Sequence, residues 1–320
     1  MSETCNAFSF LIHCCEWLPC VLAEACAALS IAVPKALLGS GYQESGIAPS
    51  SEGEQAGFPM HLRDLYPGML AKFYVSKLPL QTLKLIKPAR SELNFGSLCS
   101  GTDFIKHLLK AICDELQARC GWSVMLKQLY SCENNPDMQT WIRTDALNSN
   151  DSLPQLHSDL FSIVPGALPT VDLLVAGFSC KSLSSANNSK RTLEDVDYDD
   201  HRCSSGNTAH ALMKVISATK PQVVLLENVV GLLSNIPNAT DMRRRNVDVL
   251  LDQFRNLGYV VEYSKLCSTQ YLVPQRRSRV WLMAFLQTMG GCVFQSGMLA
   301  MRSASFLPFE MDETNVACEA

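Results

Sequence analysis

One stretch constrains the fold more than any other: Val171 to Ser182, V-D-L-L-V-A-G-F-S-C-K-S, where a short apolar run ends at Gly177 and Cys180 follows three residues later. A short apolar run closed by glycine is the pattern of a strand buried on both faces, as in parallel sheets covered by helices. In a doubly wound sheet, ligands gather beyond the carboxyl ends of the strands. Cys180 would therefore occupy a functional address. A free cysteine is otherwise a small buried hydrophobe, and position alone does not separate the two readings.

The chain has 320 residues, 47% of them hydrophobic and 18% charged, enough for one large domain with an extension. Its formal charge of -4 gives no global attraction to a polyanion, so any nucleic acid would have to be held by a local patch. Fourteen cysteines without a C-x-x-C pair do not form the pattern of a disulfide framework or a zinc site, and no metal is expected. They imply a reducing compartment.

Residues 1–57 read as an N-terminal extension and linker. Ala7 to Leu38 is apolar, but Glu16, Glu24, Pro19 and Pro34 interrupt it and no basic segment precedes it, so neither a membrane span nor a signal peptide is expected. Gly39 to Gly57 turns to Gly, Ser, Glu and Pro, the composition of a linker. Residues 58–90 form a lead-in without a clear period, 91–287 the main domain, and 288–320 a tail.

From Ser91 the pattern is regular. E-L-N-F-G-S-L-C predicts a strand, S-G-T-D a turn, and the run from Phe104 to Leu116 a helix. Gly101 can bring backbone close to a ligand, and the helix start beyond it favours anionic groups. A second strand, V-M-L-K-Q-L-Y-S-C, ends at Glu133, where an acid can take both hydroxyls of a ribose or simply face solvent. A shorter strand is expected around Leu156 to Phe161, carrying Asp159, before the strand that leads to Cys180. The polar stretch Ser182 to Asn207 lacks a hydrophobic period and is expected to be a mobile loop.

A helix is predicted over Thr208 to Thr219, then a strand, Q-V-V-L-L-E-N-V-V, that sets Glu227 and Asn228 at its end beside the Cys180 strand. An acid closing such an apolar run is costly to bury unless it has a partner or a task. Asp241 to Leu257 predicts a helix whose Arg243, Arg244 and Arg245 read as a solvated face in preference to a phosphate patch. Tyr259 to Leu266 and Arg279 to Phe285 predict a hairpin-like pair at one sheet edge, with Gln275, Arg276 and Arg277 at the entry to the second strand.

Taken in order, the glycine turn, the acid after the second strand, the cysteine after the fourth, E-N-V at 227 to 229 and Q-R-R at 275 to 277 resemble the DNA cytosine-5 methyltransferase family. The resemblance covers Asn94 to Phe285 and is most specific in L-L-E-N-V-V-G and V-P-Q-R-R-S-R-V. It implies a Rossmann-like α/β fold, a mostly parallel sheet with an antiparallel last strand. It also implies S-adenosylmethionine as cofactor, DNA with a flipped cytosine as partner, and a nuclear location. Cys180 is matched to the thiolate that adds to carbon 6 of the base, Glu227 to the acid that meets ring nitrogen N3, and Arg277 to the group that holds the base oxygen. Gln275 is matched to positioning of the neighbouring loop, and Asn228 stands beside Glu227. On the cofactor side, the Phe95 to Gly101 turn with Ser100 is matched to the methionine end, Glu133 to the ribose and Asp159 to the adenine. Thr102, Leu160 and Gly177 complete that set.

Two departures from the family pattern stand out. Ser179 and Lys181 flank the cysteine where the family usually has proline and glutamine, so the φ restriction of a proline is missing and a positive charge is added. The F-S-C form is similar to that of a fungal and algal branch. After Phe285 only residues 286–320 remain where the family places a target-recognition region. Three readings follow: a DNA methyltransferase, a methyltransferase-fold protein that binds without turnover, and the branch of the family that acts on transfer RNA. The oligomeric state is left open.

Overall fold

The computed structural model describes residues 91–149, 151–184, 187, 192–194, 205–237, 243–267 and 276–287, together with 68, 71 and 72. The rest of the predicted extension, linker and lead-in, the C-terminal tail, Gln275 and most of the Ser182 to Asn207 stretch lie outside the described residues.

The strands are β1 (Glu92–Leu98), β2 (Met125–Cys132), β3 (Gln155–His157), β4 (Leu173–Ala176), β5 (Val223–Val229), β6 (Tyr259–Cys267) and β7 (Ser278–Leu286). They form one seven-stranded sheet in the order β3-β2-β1-β4-β5-β7-β6. The pairs from β3 to β5 are all parallel, while β7 runs antiparallel to both β5 and β6. The expected α/β architecture and the edge pair are therefore observed. Successive strands from β1 run outward to one side as β2 and β3, and from β4 to the other as β5. The reversal between β1 and β4 opens a crevice at their carboxyl ends.

Among the described residues, the helices between the strands are α1 (Phe104–Cys120), α2 (Pro136–Asn148), α3 (Ser205–Thr219) and α4 (Asn246–Asn256). In α1 the buried Ile105, Leu108, Leu109, Ile112 and Leu116 recur at helical spacing and make its sheet-facing stripe. Val223, Val224, Leu225 and Leu226 of β5 are all fully buried, as expected for a central strand covered on both faces. Each such side chain contributes about 1.5–3 kcal/mol on burial. Among the described residues no helix is long and apolar enough to cross a membrane.

Several local expectations are corrected. The third strand ends at His157, and Asp159 lies beyond it as the cap of a 3-10 turn, Leu160–Ser162, its carboxylate accepting from Phe161 N at 3.0 Å. Helix α3 starts three residues earlier than predicted. Helix α4 starts at Asn246, not Asp241, because Arg245 is its extended N-cap, whose backbone N–H donates to Asp248 Oδ2 at 2.8 Å. Helix α2 escaped the sequence reading because its apolar spacing is weak. Its start signal was nevertheless present: Asn135 Oδ1 accepts from Asp137 N at 2.9 Å, and Pro136 occupies the first turn.

Candidate active site

The turn after β1 is built on left-handed backbone. Cys99, Gly101 and Asp103 all have positive φ, at 54°, 57° and 57°. Glycine adopts this region freely and aspartate more readily than most residues, whereas at Cys99 it must be enforced by surroundings. That enforcement is polar. Asp103 is buried, and its carboxylate accepts from Ser97 Oγ at 2.7 Å and from Gln128 Nε2. Burial pushes the Asp103 carboxyl up, against those two hydrogen bonds. Ser100 N donates to Cys132 O at 3.0 Å, and its hydroxyl lies 2.9 Å from Ser131 Oγ and 3.0 Å from Ser97 Oγ.

Glu133 locks this turn to the next strand end. Its Oε2 accepts from Gly101 N at 2.7 Å and its Oε1 from Asn135 N at 2.9 Å. Its own N donates to His157 O at 3.0 Å, so the ends of β1, β2 and β3 are joined through one residue. A Cβ at Gly101 would meet nothing within 4 Å, so the turn faces open space. Ser100, Gly101, Thr102, Glu133 and Asp159 thus lie on successive strand ends, and Leu160 is buried just past Asp159. Phe95 is set apart: it is fully buried in the middle of β1 and belongs to the packed sheet.

Across the crevice, Gly177 N donates to Leu98 O at 3.3 Å, and a Cβ at Gly177 would lie 3.5 Å from Glu227 Oε2 and 3.8 Å from Cys99 O. This one glycine therefore touches the first turn on one side and the Glu227 carboxylate on the other. Asn228, buried, donates from Nδ2 to Phe178 O at 3.0 Å, while its Oδ1 accepts from Val229 N at 2.8 Å. The segment that carries Cys180 is thus fixed by the neighbouring strand. Cys180 is half-buried and opens a tight turn, its carbonyl accepting from Leu183 N at 3.1 Å and Ser184 N at 2.9 Å. Lys181 is exposed.

Glu227 is one-fifth exposed and pairs with Arg279, Nε donating to Oε1 at 2.7 Å. Burial raises its carboxyl above the usual range, with Arg279 and Arg277 pulling the other way. The sequence reading passed over Arg279 as the partner of Glu227. The signal was the alternation in Q-R-R-S-R, which sets Arg277 and Arg279 on one face of an extended chain. Beyond the pair lies a cleft of about 540 Å³, lined among others by Ser182, Leu183, Thr192, Gly231, Asn246 and Arg279.

The Cys180 segment after β4, the Glu227 carboxyl at the end of β5 and Arg279 at the start of β7 thus meet on neighbouring strands. The description C-5 cytosine-specific DNA methylase matches residues 93–296, more than half of the chain. The chain belongs to the C-5 cytosine-specific DNA methylase family. It is 27% identical over 225 residues to a DNA (cytosine-5-)-methyltransferase, DMT5, of Cryptococcus neoformans var. grubii, covering 66% of this chain and 8% of that protein. It is also 27% identical over 206 residues to the type II methyltransferase M.NlaIV of Neisseria lactamica, covering 64% of this chain and 44% of that one. The chain spans less than half the length of these relatives. Among solved structures, Dnmt2 methyltransferase of S. pombe aligns with a TM-score of 0.41 at 18% identity, over 62% of this chain and 51% of that one. In this methylase-family chain the matched region spans both walls of the crevice, from β1 through β7.

Proposed function

We propose that this chain transfers a methyl group from S-adenosylmethionine to carbon 5 of a cytosine in DNA. The observation that carries the reading is the convergence of the Cys180 segment with Glu227 and Asn228. Gly177 lies against the Glu227 carboxylate, and Phe178 is held by the Asn228 amide. The fit of the cofactor rests on the open turn at Gly101 and the carboxylate of Glu133 at the next strand end. S-adenosylmethionine supplies an electrophilic methyl carbon there.

In this reading the Cys180 thiolate adds to carbon 6 of the base and makes carbon 5 nucleophilic. Glu227, whose burial shifts its carboxyl toward the protonated form, donates a hydrogen bond to N3 as negative charge develops on the ring. Arg279 orients the carboxyl, and Arg277 adds positive charge beside the base. Once carbon 5 carries the methyl group, loss of its proton and cleavage of the Sγ–C6 bond restore the aromatic ring and the free thiol. A cytosine inside a duplex cannot reach these groups, so the base is taken out of the stack. DNA as substrate implies a nuclear location and transfer RNA a cytoplasmic one. The relatives named as DNA methyltransferases support the former.

The test is a methyl-transfer assay with labelled cofactor on duplex DNA and on transfer RNA, run beside Cys180→Ala. Label on DNA that disappears in the variant is expected. A duplex containing 5-fluorocytosine should also trap a covalent adduct on Cys180, since fluorine at carbon 5 blocks elimination. An adduct on another cysteine, or label on transfer RNA alone, overturns the assignment. Cofactor binding without label on either substrate favours a binding protein.

A further inference from the structure

Thirteen positions beyond Cys180, Leu193 lies in the core. Leu193 is 3% exposed and belongs to the same apolar cluster as Leu183, Leu232, Ile236 and Val247. Its backbone N–H is held by a side chain, donating to Asn246 Oδ1 at 2.8 Å. Asn246 is itself 3% exposed. Its Nδ2 donates to Ser234 O at 3.1 Å, and its backbone N donates to the same carbonyl at 3.1 Å. One amide therefore joins three pieces: the segment after Cys180, the turn after Glu227, and the first turn of α4.

Two further contacts mark the same joint. Arg244 Nε donates to Glu194 Oε1 at 2.9 Å, and its Nη1 donates to Asp252 Oδ2 at 3.0 Å, an outer tie that is partly exposed. Closer to the nucleophile, Ser182 and Ser205 exchange hydrogen bonds, each backbone N donating to the other's hydroxyl at 3.1 and 3.0 Å. Thr192, Ser234 and Asn246 line the 540 Å³ cleft together with Ser182 and Arg279.

We propose that Asn246 is a positioning residue for methyl transfer, seating the Leu193 segment so that the Cys180 turn and the Glu227 strand end keep one geometry. The inference rests on the proposed methyltransferase reading. The residue type follows from the partners. One short side chain here supplies the acceptor for the buried Leu193 N and a second donor to Ser234 O, beside the Asn246 backbone N, and an amide provides both. Aspartate keeps the acceptor but loses the donor, and leaves the Ser234 carbonyl facing a carboxylate. Serine-sized or apolar replacements leave the Leu193 N–H buried without its acceptor, which is costly. Because the joint lies on the Cys180 and Glu227 side of the crevice, its loss should leave the Gly101 and Glu133 side intact.

The experiment uses the full chain with Asn246→Asp and Asn246→Ala, well below their melting temperatures. It reads three quantities: S-adenosylmethionine affinity by calorimetry, the rate of adduct formation on a 5-fluorocytosine duplex, and hydrogen exchange at the Leu193 amide. Expected are a cofactor affinity within about twofold of wild type, an adduct rate lower by about tenfold to a hundredfold, and faster exchange at Leu193 in Asn246→Ala, which removes its acceptor. An adduct rate equal to that of wild type, or a loss of cofactor affinity as large as the loss of rate, overturns the positioning role. If wild type binds the cofactor and forms no adduct, the methyltransferase reading fails. The Leu193 exchange then decides the joint alone, and unchanged protection in Asn246→Ala overturns it. Should neither Asn246 variant fold, Glu194→Ala removes the exposed outer tie and is expected to slow adduct formation about threefold, with an unchanged rate counting against the proposal.

Discussion

Glu227 and Arg279 meet diagonally across two antiparallel strands: Arg279 stands opposite Val229 in the register, while Glu227 stands opposite Trp281, and the guanidinium reaches back 2.7 Å to the carboxylate. Residues two apart on a strand share a face, so the contact is fixed by the register of β5 against β7 and not by a flexible loop. That register in turn is held by an apolar stretch, in which the buried Leu282, Met283 and Ala284 stand opposite the buried Leu226, Leu225 and Val224. The reactive end of β5 is therefore aimed by packing several residues away.

The pair predicts a pH effect with a definite sign. Burial raises the Glu227 carboxyl and Arg279 opposes it, so Arg279→Ala raises it further. A protonated Glu227 that serves the base is then retained to higher pH. The descending alkaline limb of kcat/KM should move upward in Arg279→Ala, while the plateau falls by about tenfold to a hundredfold through lost orientation. A pH–rate series on the two proteins measures both. A limb that moves to lower pH would refute the acid role of Glu227.

Gly231 lies under the turn that follows Cys180. A Cβ there would fall 1.7 Å from Leu183 O, a backbone atom that cannot step aside without moving the Cys180 turn. Gly231→Ala should lower stability by about 1–3 kcal/mol and slow adduct formation, with cofactor affinity nearly unchanged. Urea unfolding together with calorimetry tests this. Wild-type adduct rates in the variant would show that the turn is not coupled to the nucleophile.

Much of this was legible in the sequence. Glu227 and Cys180 announced themselves because each closes an apolar run, and a parallel sheet puts the ends of such runs side by side. The parts that were not legible depend on partners distant in the chain. Arg279 is an ordinary strand arginine until the register with β5 is known. Asn246 falls inside the helix predicted from Asp241, and only the fold brings Leu193 to it across 53 positions. Asp103 gave no sign of burial, since its hydrogen-bond donors come from the strand before it and from β2. Phe95 was matched to the cofactor turn by the family resemblance, and in the fold it is a fully buried residue of β1.

Helices α1 and α2 meet in an acid-sensitive joint. Asp145, 7% exposed, faces His107 Nε2 at 3.1 Å and Lys106 Nζ at 3.1 Å, and Lys106 also meets Asp151 at 2.8 Å. Burial alone would raise the Asp145 carboxyl, but His107 and Lys106 more than offset it and bring it down to about 2 from 3.8. A lowered carboxyl contributes stability that is complete above the ordinary value and is lost as pH falls through the folded one. The contribution is about 2 kcal/mol. Urea midpoints for wild type should therefore fall between about pH 4 and pH 2, and Asp145→Asn should flatten that slope. Parallel slopes in the two proteins would show that the joint is not the source.

Glu133 provides the sharpest test of the cofactor side, because its two oxygens both accept from backbone, one from Gly101 N and one from Asn135 N. Glu133→Gln keeps the size and one acceptor but turns an NH₂ group toward the other backbone N–H. Two donors then face each other, and the turn at Gly101 or the start of α2 must shift. The loss of one such bond to a charged acceptor is worth about 1.5–3 kcal/mol. If the turn cradles S-adenosylmethionine, part of that loss appears in binding, and the dissociation constant should rise by about tenfold or more. The adduct-forming side of the crevice, held separately by Asn228 and Arg279, should respond to saturating cofactor as wild type does. Calorimetric titration of wild type and Glu133→Gln is the measurement. Equal affinity in the two, with the expected loss of thermal stability, would leave Glu133 a structural clamp and remove it from the cofactor site.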